Sequence, residues 1–243
     1  MPSSLEMNIS DPSADRVCDE DAIVRRLLPL RGAHVLELGC GKAEKTRAIA
    51  QGGQVASITA LEVDAIQHAK NLQIGDLPNV SFSVGGAEAI PAADASVDIV
   101  LMFKSLHHVP MDKMDRALAE IRRVLKPGGF AYLSEPVYAG AYNEVLRLFH
   151  DEKTVREAAF GAIQRAVHGG RLELVSQTFF RTPRHFDNFV QFEEQVLKVT
   201  HTQHRLSPAV YEAVRVAFMR HMTPQGVDFQ QPIRVDLLRK TNL

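Results

Sequence analysis

The chain has 243 residues, 45% of them hydrophobic, a formal net charge of -1, and two cysteines. That is enough apolar material for a buried core, and because acids and bases are scattered rather than gathered into a basic face, nothing in the charge points to a nucleic acid or an anionic membrane as partner. No apolar run can span a bilayer, the polar N-terminus lacks the basic start and apolar stretch of a signal peptide, and two cysteines supply neither a disulfide framework nor a Cys-rich metal site, so a cytoplasmic protein is expected.

Residues 1–18 carry Pro2, Pro12 and several serines without a period and read as a loosely held arm. From Asp19 to Leu28, apolar residues at Ala22, Ile23, Leu27 and Leu28 predict a helix ended by Pro29 and Gly32. Short apolar runs then alternate with amphipathic segments: HVLEL (34–38), SITALE (57–62), VSFSV (80–84), VDIVLMF (97–103) and FAYLSE (130–135). Strands with helices between them predict a parallel sheet covered on both faces. Gly52 and Gly53 close the first intervening helix, and Gly75 with Pro78 closes the second, Asp64 to Ile74. A stripe of Met114, Ala117, Leu118, Ile121, Val124 and Leu125 marks a further helix with Asp112 as its expected N-cap, and Lys126-Pro127-Gly128-Gly129 reads as a turn into the fifth strand.

Beyond Pro136 the pattern predicts helices over Tyr142–Val167, Arg184–Val199 and Pro208–Met222. Strand-like pieces at Leu172–Phe180 and Phe229–Arg239 are expected to finish the sheet as a hairpin whose arms are separated by the last two helices. Phe189, Phe192, Val196 and Val199 share one helical face, as do Val210, Val214, Ala217 and Phe218, and both faces read as core packing rather than a substrate lid. With no repeat or linker, 1–243 is read as a single domain: a core at 33–136, a mainly helical substrate-side region at 137–228 and a last strand at 229–239.

The first strand runs into Gly39-Cys40-Gly41 and a helix, which is expected to bring bare backbone amides to the carboxyl end of the sheet, where open α/β folds bind ligands. The dinucleotide pattern GxGxxG needs glycine at position 44, which holds Glu44; a carboxylate there repels a pyrophosphate, and no GK[ST] follows at P-loop spacing. Glu62, ending the second strand 21 residues after Gly41, can accept hydrogen bonds from both hydroxyls of a ribose. Asp64 competes for that role, but a helix N-cap accounts for it. A nucleoside-like ligand without a diphosphate fits this set.

Glu37-x-Gly39-x-Gly41-x-Ala43 resembles the first motif of the class I S-adenosylmethionine-dependent methyltransferases, in particular the small-molecule group that includes the ubiquinone and menaquinone C-methyltransferases, with Ala43 in place of a third glycine. Glu62, Gly86-Ala87-Glu88-Ala89-Ile90-Pro91, Ser96–Val100 and Leu125–Gly129 follow in the family's order, so the match covers about Val35 to Glu135. The resemblance implies a Rossmann-like, doubly wound, mostly parallel α/β sheet of seven strands with an antiparallel last strand and helical additions in the C-terminal half. It implies S-adenosyl-L-methionine as cofactor, S-adenosyl-L-homocysteine as product and a small-molecule acceptor methylated by in-line displacement. The cofactor-binding residues it implies are Glu37, Gly39, Cys40, Gly41, Glu62, Val63, Ala87, Glu88 and Phe103.

From the residues alone Cys40 reads as a small packing residue, and Asp98, inside an apolar strand, as architectural. His107, His108 and Tyr138 are weak candidates for a catalytic proton acceptor; two adjacent histidines fall short of the three or four ligands of a zinc centre, and no metal is expected. Tyr142, His150, His185, His201 and His204 are scattered polar candidates. Two other functions compete with methyl transfer: a cofactor-binding regulatory module without transferase activity, and an NAD-dependent oxidoreductase, which Glu44 disfavours.

Overall fold

The computed structural model of the chain describes residues 6–52, 54–198 and 206–241. Its first half comprises α1 (Glu20–Leu27), β1 (His34–Leu38), α2 (Glu44–Gly52), β2 (Ser57–Glu62), α3 (Ala65–Asn71), β3 (Val80–Val84), β4 (Val97–Phe103), α4 (Met114–Val124) and β5 (Leu125–Pro136). The second comprises α5 (Ala141–Leu146), α6 (Lys153–His168), β6 (Glu173–Phe186), α7 (Phe189–Phe192), α8 (Pro208–Met219) and β7 (Val227–Arg239). Seven strands form one sheet in the order β3-β2-β1-β4-β5-β7-β6. Strands β1 to β5 pair in parallel, and β7 enters antiparallel to both β5 and β6, so the hairpin's arms are separated by α7 and α8 as the pattern predicts. Strand order reverses between β1 and β4, which opens a crevice at their carboxyl ends.

Period-two alternation sends neighbouring side chains to opposite faces. Leu36, Leu38, Val100, Met102 and Leu133 pack under α4 and α6, whereas Val35, Ile58, Ile99, Leu101 and Tyr132 join Ile23 and Val24 of α1 and Ile49 of α2. The α4 stripe is fully enclosed, each large apolar side chain contributing roughly 1.5–3 kcal/mol of transfer free energy. Phe186, Phe192, Val214, Phe218 and Phe229 form a third cluster with Tyr142, which makes the apolar faces of α7 and α8 core. Val199, His201, His204 and Gly53 lie outside the described residues. Among the described residues no helix is long and apolar enough to cross a membrane.

Four expectations are corrected. Asp112 lies inside a 3-10 turn (Met111–Lys113), and α4 starts after Lys113 without a side-chain cap. The helix expected over Tyr142–Val167 is two helices, because the chain leaves α5 at Arg147 and restarts where Asp151 accepts the Lys153 amide at 3.1 Å. Arg184 continues β6 to Phe186 rather than opening a helix, so the 137–228 region contains a 14-residue strand; Asn188 caps α7 by accepting from Gln191 N at 3.0 Å. The described part of the arm is pinned: Met7 is buried, Asn8 N donates to Gln177 Oε1 at 2.8 Å, and Cys18 N donates to Arg181 O at 3.0 Å. Residues 7–18 thereby cover the edge strand β6, which would otherwise offer unpaired backbone groups.

Candidate active site

Strand β1 ends in a turn whose two glycines serve different ends. Gly39 has φ +73, and a Cβ built on it would come within 2.9 Å of Ser105 Cβ, so the fold itself demands glycine there. Gly41 has φ +52, but a Cβ on it would meet nothing within 4 Å: the space beside it is open for a ligand. Ala43 holds φ +61, a left-handed conformation that costs an L residue about 1–2 kcal/mol, and its methyl is enclosed by protein.

The turn's amides are not bare. Gly39 N and Cys40 N both donate to Leu61 O at 2.9 Å, and Gly41 N donates to Glu62 Oε2 at 2.7 Å. Asn71 of α3 braces the turn from below, donating to Gly41 O at 2.8 Å, while the Ser105 hydroxyl donates to Leu38 O at 2.9 Å. Glu62 also accepts from Val63 N at 2.8 Å and Asp64 N at 2.9 Å on Oε1. Three of the carboxylate's roughly four acceptor positions are therefore filled. It can take one ribose hydroxyl as it stands, and a second only if the Gly41 amide is given up. Asp64 is occupied as the N-cap of α3, accepting from Ile66 N and Gln67 N. Beside Glu62, Val63 is 67% exposed and Val84, its register neighbour's tip residue on β3, is 58% exposed. Exposed apolar side chains next to a carboxylate suit a nucleoside, with a flat apolar base and a hydroxylated sugar.

Glu37 is buried beneath the turn, where Thr46 Oγ1 of α2 donates to its Oε2 at 2.6 Å. Burial pushes its carboxyl up to about 7, against the opposing pull of the Thr46 hydrogen bond and of Lys45. A carboxyl raised in the folded state contributes stability that is complete below its unfolded value of 4.5 and is lost as pH rises to about 7. Above that pH the buried carboxylate costs roughly 3 kcal/mol, at about 1.4 kcal/mol per pKa unit. Glu37→Gln is accordingly expected to be about 1–3 kcal/mol more stable than wild type at pH 8 and nearly equal to it at about pH 4.5. Denaturant unfolding at both pH values checks this, and a difference independent of pH contradicts it.

Cys40 is buried, and its thiol is pushed up to about 12 by burial and by the charges of Glu37 and Glu62, so it stays protonated. Ala87 is buried, and Glu88 folds its carboxylate over Gly86 and pairs with Lys113 at 3.2 Å. Its own backbone amide holds that carboxyl below the ordinary range. Phe103 is half-buried, its ring 5.5 Å from Tyr132. Glu44 opens α2 and is exposed, at the place a pyrophosphate would occupy. Asp98 lies at the opposite end of the sheet, accepting from His34 N and Lys126 Nζ, which is an architectural role. An open groove of about 490 Å³ at that amino-terminal end, bounded by His34, Asp98 and Lys126, is remote from the glycine turn.

His107 is buried between two carboxylates: Glu135 at the end of β5 bonds Nδ1, and Glu152 Oε1 lies 3.5 Å from Nε2. Burial opposes its charge, but the two acids outweigh burial and hold the imidazole up to about 9. An imidazolium so placed has no lone pair to offer an acceptor's proton. His108 is exposed, and the surrounding protein and the charge on His107 push it down to about 4. Tyr138, half-buried before α5, lies beside Arg147 and Asp151. His185 pairs with Asp228 and Asp187 on the surface, away from these groups in sequence and sheet position. Thr46, Asn71, Ser105, Glu135 and Glu152 are missing from the sequence reading; only Glu135 carried a signal, as an acid closing an apolar strand just as Glu37 does.

Residues 35–129 match a family described as a methyltransferase domain. The ubiquinone/menaquinone biosynthesis C-methyltransferase UbiE of Caulobacter sp. (strain K31) is 30% identical over 119 residues, 45% of this chain and 46% of its own length. The O-methyltransferase cnsE of Penicillium expansum is 34% identical over 129 residues, 51% of this chain and 44% of its own. The chain spans about half the length of the curated relatives it matches. In fold it is similar to the YcgJ protein of Bacillus subtilis, with a TM-score of 0.65 at 18% identity over 92% of this chain and 98% of that one. A seven-stranded sheet with this strand order and a glycine turn at its switch point give the chain a Rossmann-like fold, and its residues 35–129 are similar to the methyltransferase domain family.

Proposed function

We propose that the chain transfers a methyl group from S-adenosyl-L-methionine to a small-molecule acceptor in the cytoplasm, releasing S-adenosyl-L-homocysteine. The observation that carries the reading is Gly41, whose missing side chain leaves open space directly beside the Glu62 carboxylate at the neighbouring strand's tip. Glu62 would take a ribose hydroxyl, Val63 and Ala87 would border the adenine, and Glu37 beneath the turn would meet the positive charge of the donor. Bound there, the cofactor supplies a methyl group already activated by its cationic sulfur. The chain's task is alignment: holding an acceptor in line behind that methyl and excluding water supplies about 7–11 kcal/mol of barrier reduction.

Of the C-terminal elements, α6 covers the sheet beside α4, and α5, α7 and α8, which share the third cluster, would bound the acceptor side. A small acceptor is favoured by the absence of a basic face in the sequence, and by relatives named for methyl transfer to carbon in quinone biosynthesis and to oxygen. The regulatory-module and NAD readings have less support: the matching relatives are named as methyltransferases, and Glu44 stands where a pyrophosphate would lie. Incubation with methyl-labelled donor and a panel of small phenols, quinols and hydroxylated acids is expected to place label in low-molecular-weight product. Label appearing in protein or nucleic acid instead, or none transferred to any acceptor by a chain that binds the donor, contradicts the small-molecule reading.

A further inference from the structure

Three segments converge beside the candidate active site. The 3-10 turn after β4 (Leu106–His108) brings His107 and His108, β5 ends in Glu135, the α5–α6 connection brings His150, and Glu152 precedes α6. One ligand atom each from His107, His108 and Glu152 lie within 4.8 Å of one another. Each is oriented from behind. Glu135 bonds His107 Nδ1 and is itself fixed by accepting from Leu106 N at 2.9 Å, so Nε2 of His107 points at Glu152. Buried Arg156 holds Glu152 Oε2 at 2.6 Å, which turns Oε1 toward the histidines. That oxygen is 3.5 Å from His107 Nε2 and 2.9 Å from His150 Nε2.

We propose that His107 Nε2, His108 and Glu152 Oε1 form a binding site for a divalent cation of the zinc class, the cation displacing the Nε2 proton of His107 to solvent, with Glu135 and Arg156 as positioning residues and the fourth position open. Two histidines and a glutamate are the donor set of open, catalytic zinc sites, whose bonds of about 2.0–2.2 Å put neighbouring ligand atoms about 3.4 Å apart. The His107–Glu152 separation is already that edge, longer than a good hydrogen bond and the width of a shared cation. His108 is exposed, and its ring lies 4.1 Å from that of His107, so a side-chain rotation brings its nitrogen in. A carboxylate behind a ligating histidine, as Glu135 stands behind His107, fixes the ring and its tautomer. An acceptor oxygen taking the open position would lose its proton more readily. The expectation of no metal counted only the adjacent histidines; the fold supplies the third ligand 44 residues after His108.

The inference stands on these residues and is independent of the methyl-donor reading, so the test uses metal alone. The full chain, stripped of metal, is titrated with zinc chloride against a chromophoric chelator. One zinc per chain is expected, with His108→Ala and Glu152→Gln each weakening binding by about 100-fold or more, and Glu135→Gln by about 10- to 100-fold. His185→Ala, on the surface, is expected to bind like wild type. Cobalt(II) bound to wild type gives a second readout that needs no variant: the intense visible bands of a four-coordinate ion. Absence of binding, equal affinity in His108→Ala or Glu152→Gln, or a cobalt spectrum unchanged from the hydrated ion would each overturn the proposal.

Discussion

Glu62→Ala is expected to weaken binding of S-adenosyl-L-methionine by about 10- to 100-fold and to lower the stability of the unliganded protein by about 2–4 kcal/mol. Both effects follow from the same two oxygens. Glu62 accepts the amides of Gly41, Val63 and Asp64, and it is itself only 8% exposed. Alanine leaves those donors without a partner at a site water reaches poorly, and each orphaned amide costs about 1–3 kcal/mol, discounted where the crevice admits solvent. The affinity loss is that of a hydrogen bond between a hydroxyl and a charged acceptor, about 1.5–3 kcal/mol. Glu62→Gln is expected to fall between, since its amide group must turn a donor toward either Gly41 N or the Val63 and Asp64 pair. Calorimetric titration with denaturant unfolding of the same samples checks both numbers; an alanine variant that binds like wild type removes Glu62 from the site.

Asp236→Ala is expected to destabilise the protein by about 3–5 kcal/mol. Asp236 on β7 is completely buried, accepting from Arg234 Nε at 2.8 Å and from Gln177 Nε2 at 2.6 Å. Arg234 is 2% exposed, donates to Ile9 O at 3.1 Å and stacks its guanidinium 4.5 Å from the centre of the Phe160 ring. Removing the acid strands a guanidinium in the interior, which is the costly way to break a buried pair; replacing both partners with apolar residues of similar volume often costs nothing. Arg234→Met combined with Asp236→Leu is therefore expected to recover most of the loss. Urea midpoints of the single and double variants measure it, and a single variant within about 1 kcal/mol of wild type contradicts the account. Because Arg234 also helps hold the Glu135 carboxyl down, the single variant is the gentler one for the histidine cluster.

Strands β1 to β4 were legible to the residue, because each is an apolar run with turn chemistry at both ends. Strand β5 begins five residues early: Leu125 pairs with Val97 before the Pro127-Gly128-Gly129 segment, and the ladder with β4 shifts register there, so a sequence that looks like a turn is spanned by strand pairing. The break between α5 and α6 had no periodic signature, since Glu152 is spent inward on Arg156 and the histidines rather than on a visible cap. The arm's docking was invisible for a similar reason: it is made by backbone and side-chain bonds to β6, 167 to 169 residues away. In the site, the glycines and Glu62 were legible because backbone geometry and strand-end position dictate residue type. Asn71 and Ser105, which brace the turn from 30 and 67 residues away, become functional only when the sheet is assembled. Glycine at 41 was legible as a turn former, but that it faces open space while Gly39 faces Ser105 is a property of the fold alone.

The most direct measurement is a calorimetric titration of the wild-type chain with S-adenosyl-L-homocysteine, alongside an identical titration with NAD. The glycine turn and Glu62 predict one saturable site of micromolar affinity for the first ligand and none for the second. No heat with S-adenosyl-L-homocysteine, or binding of NAD in its place, would contradict the account.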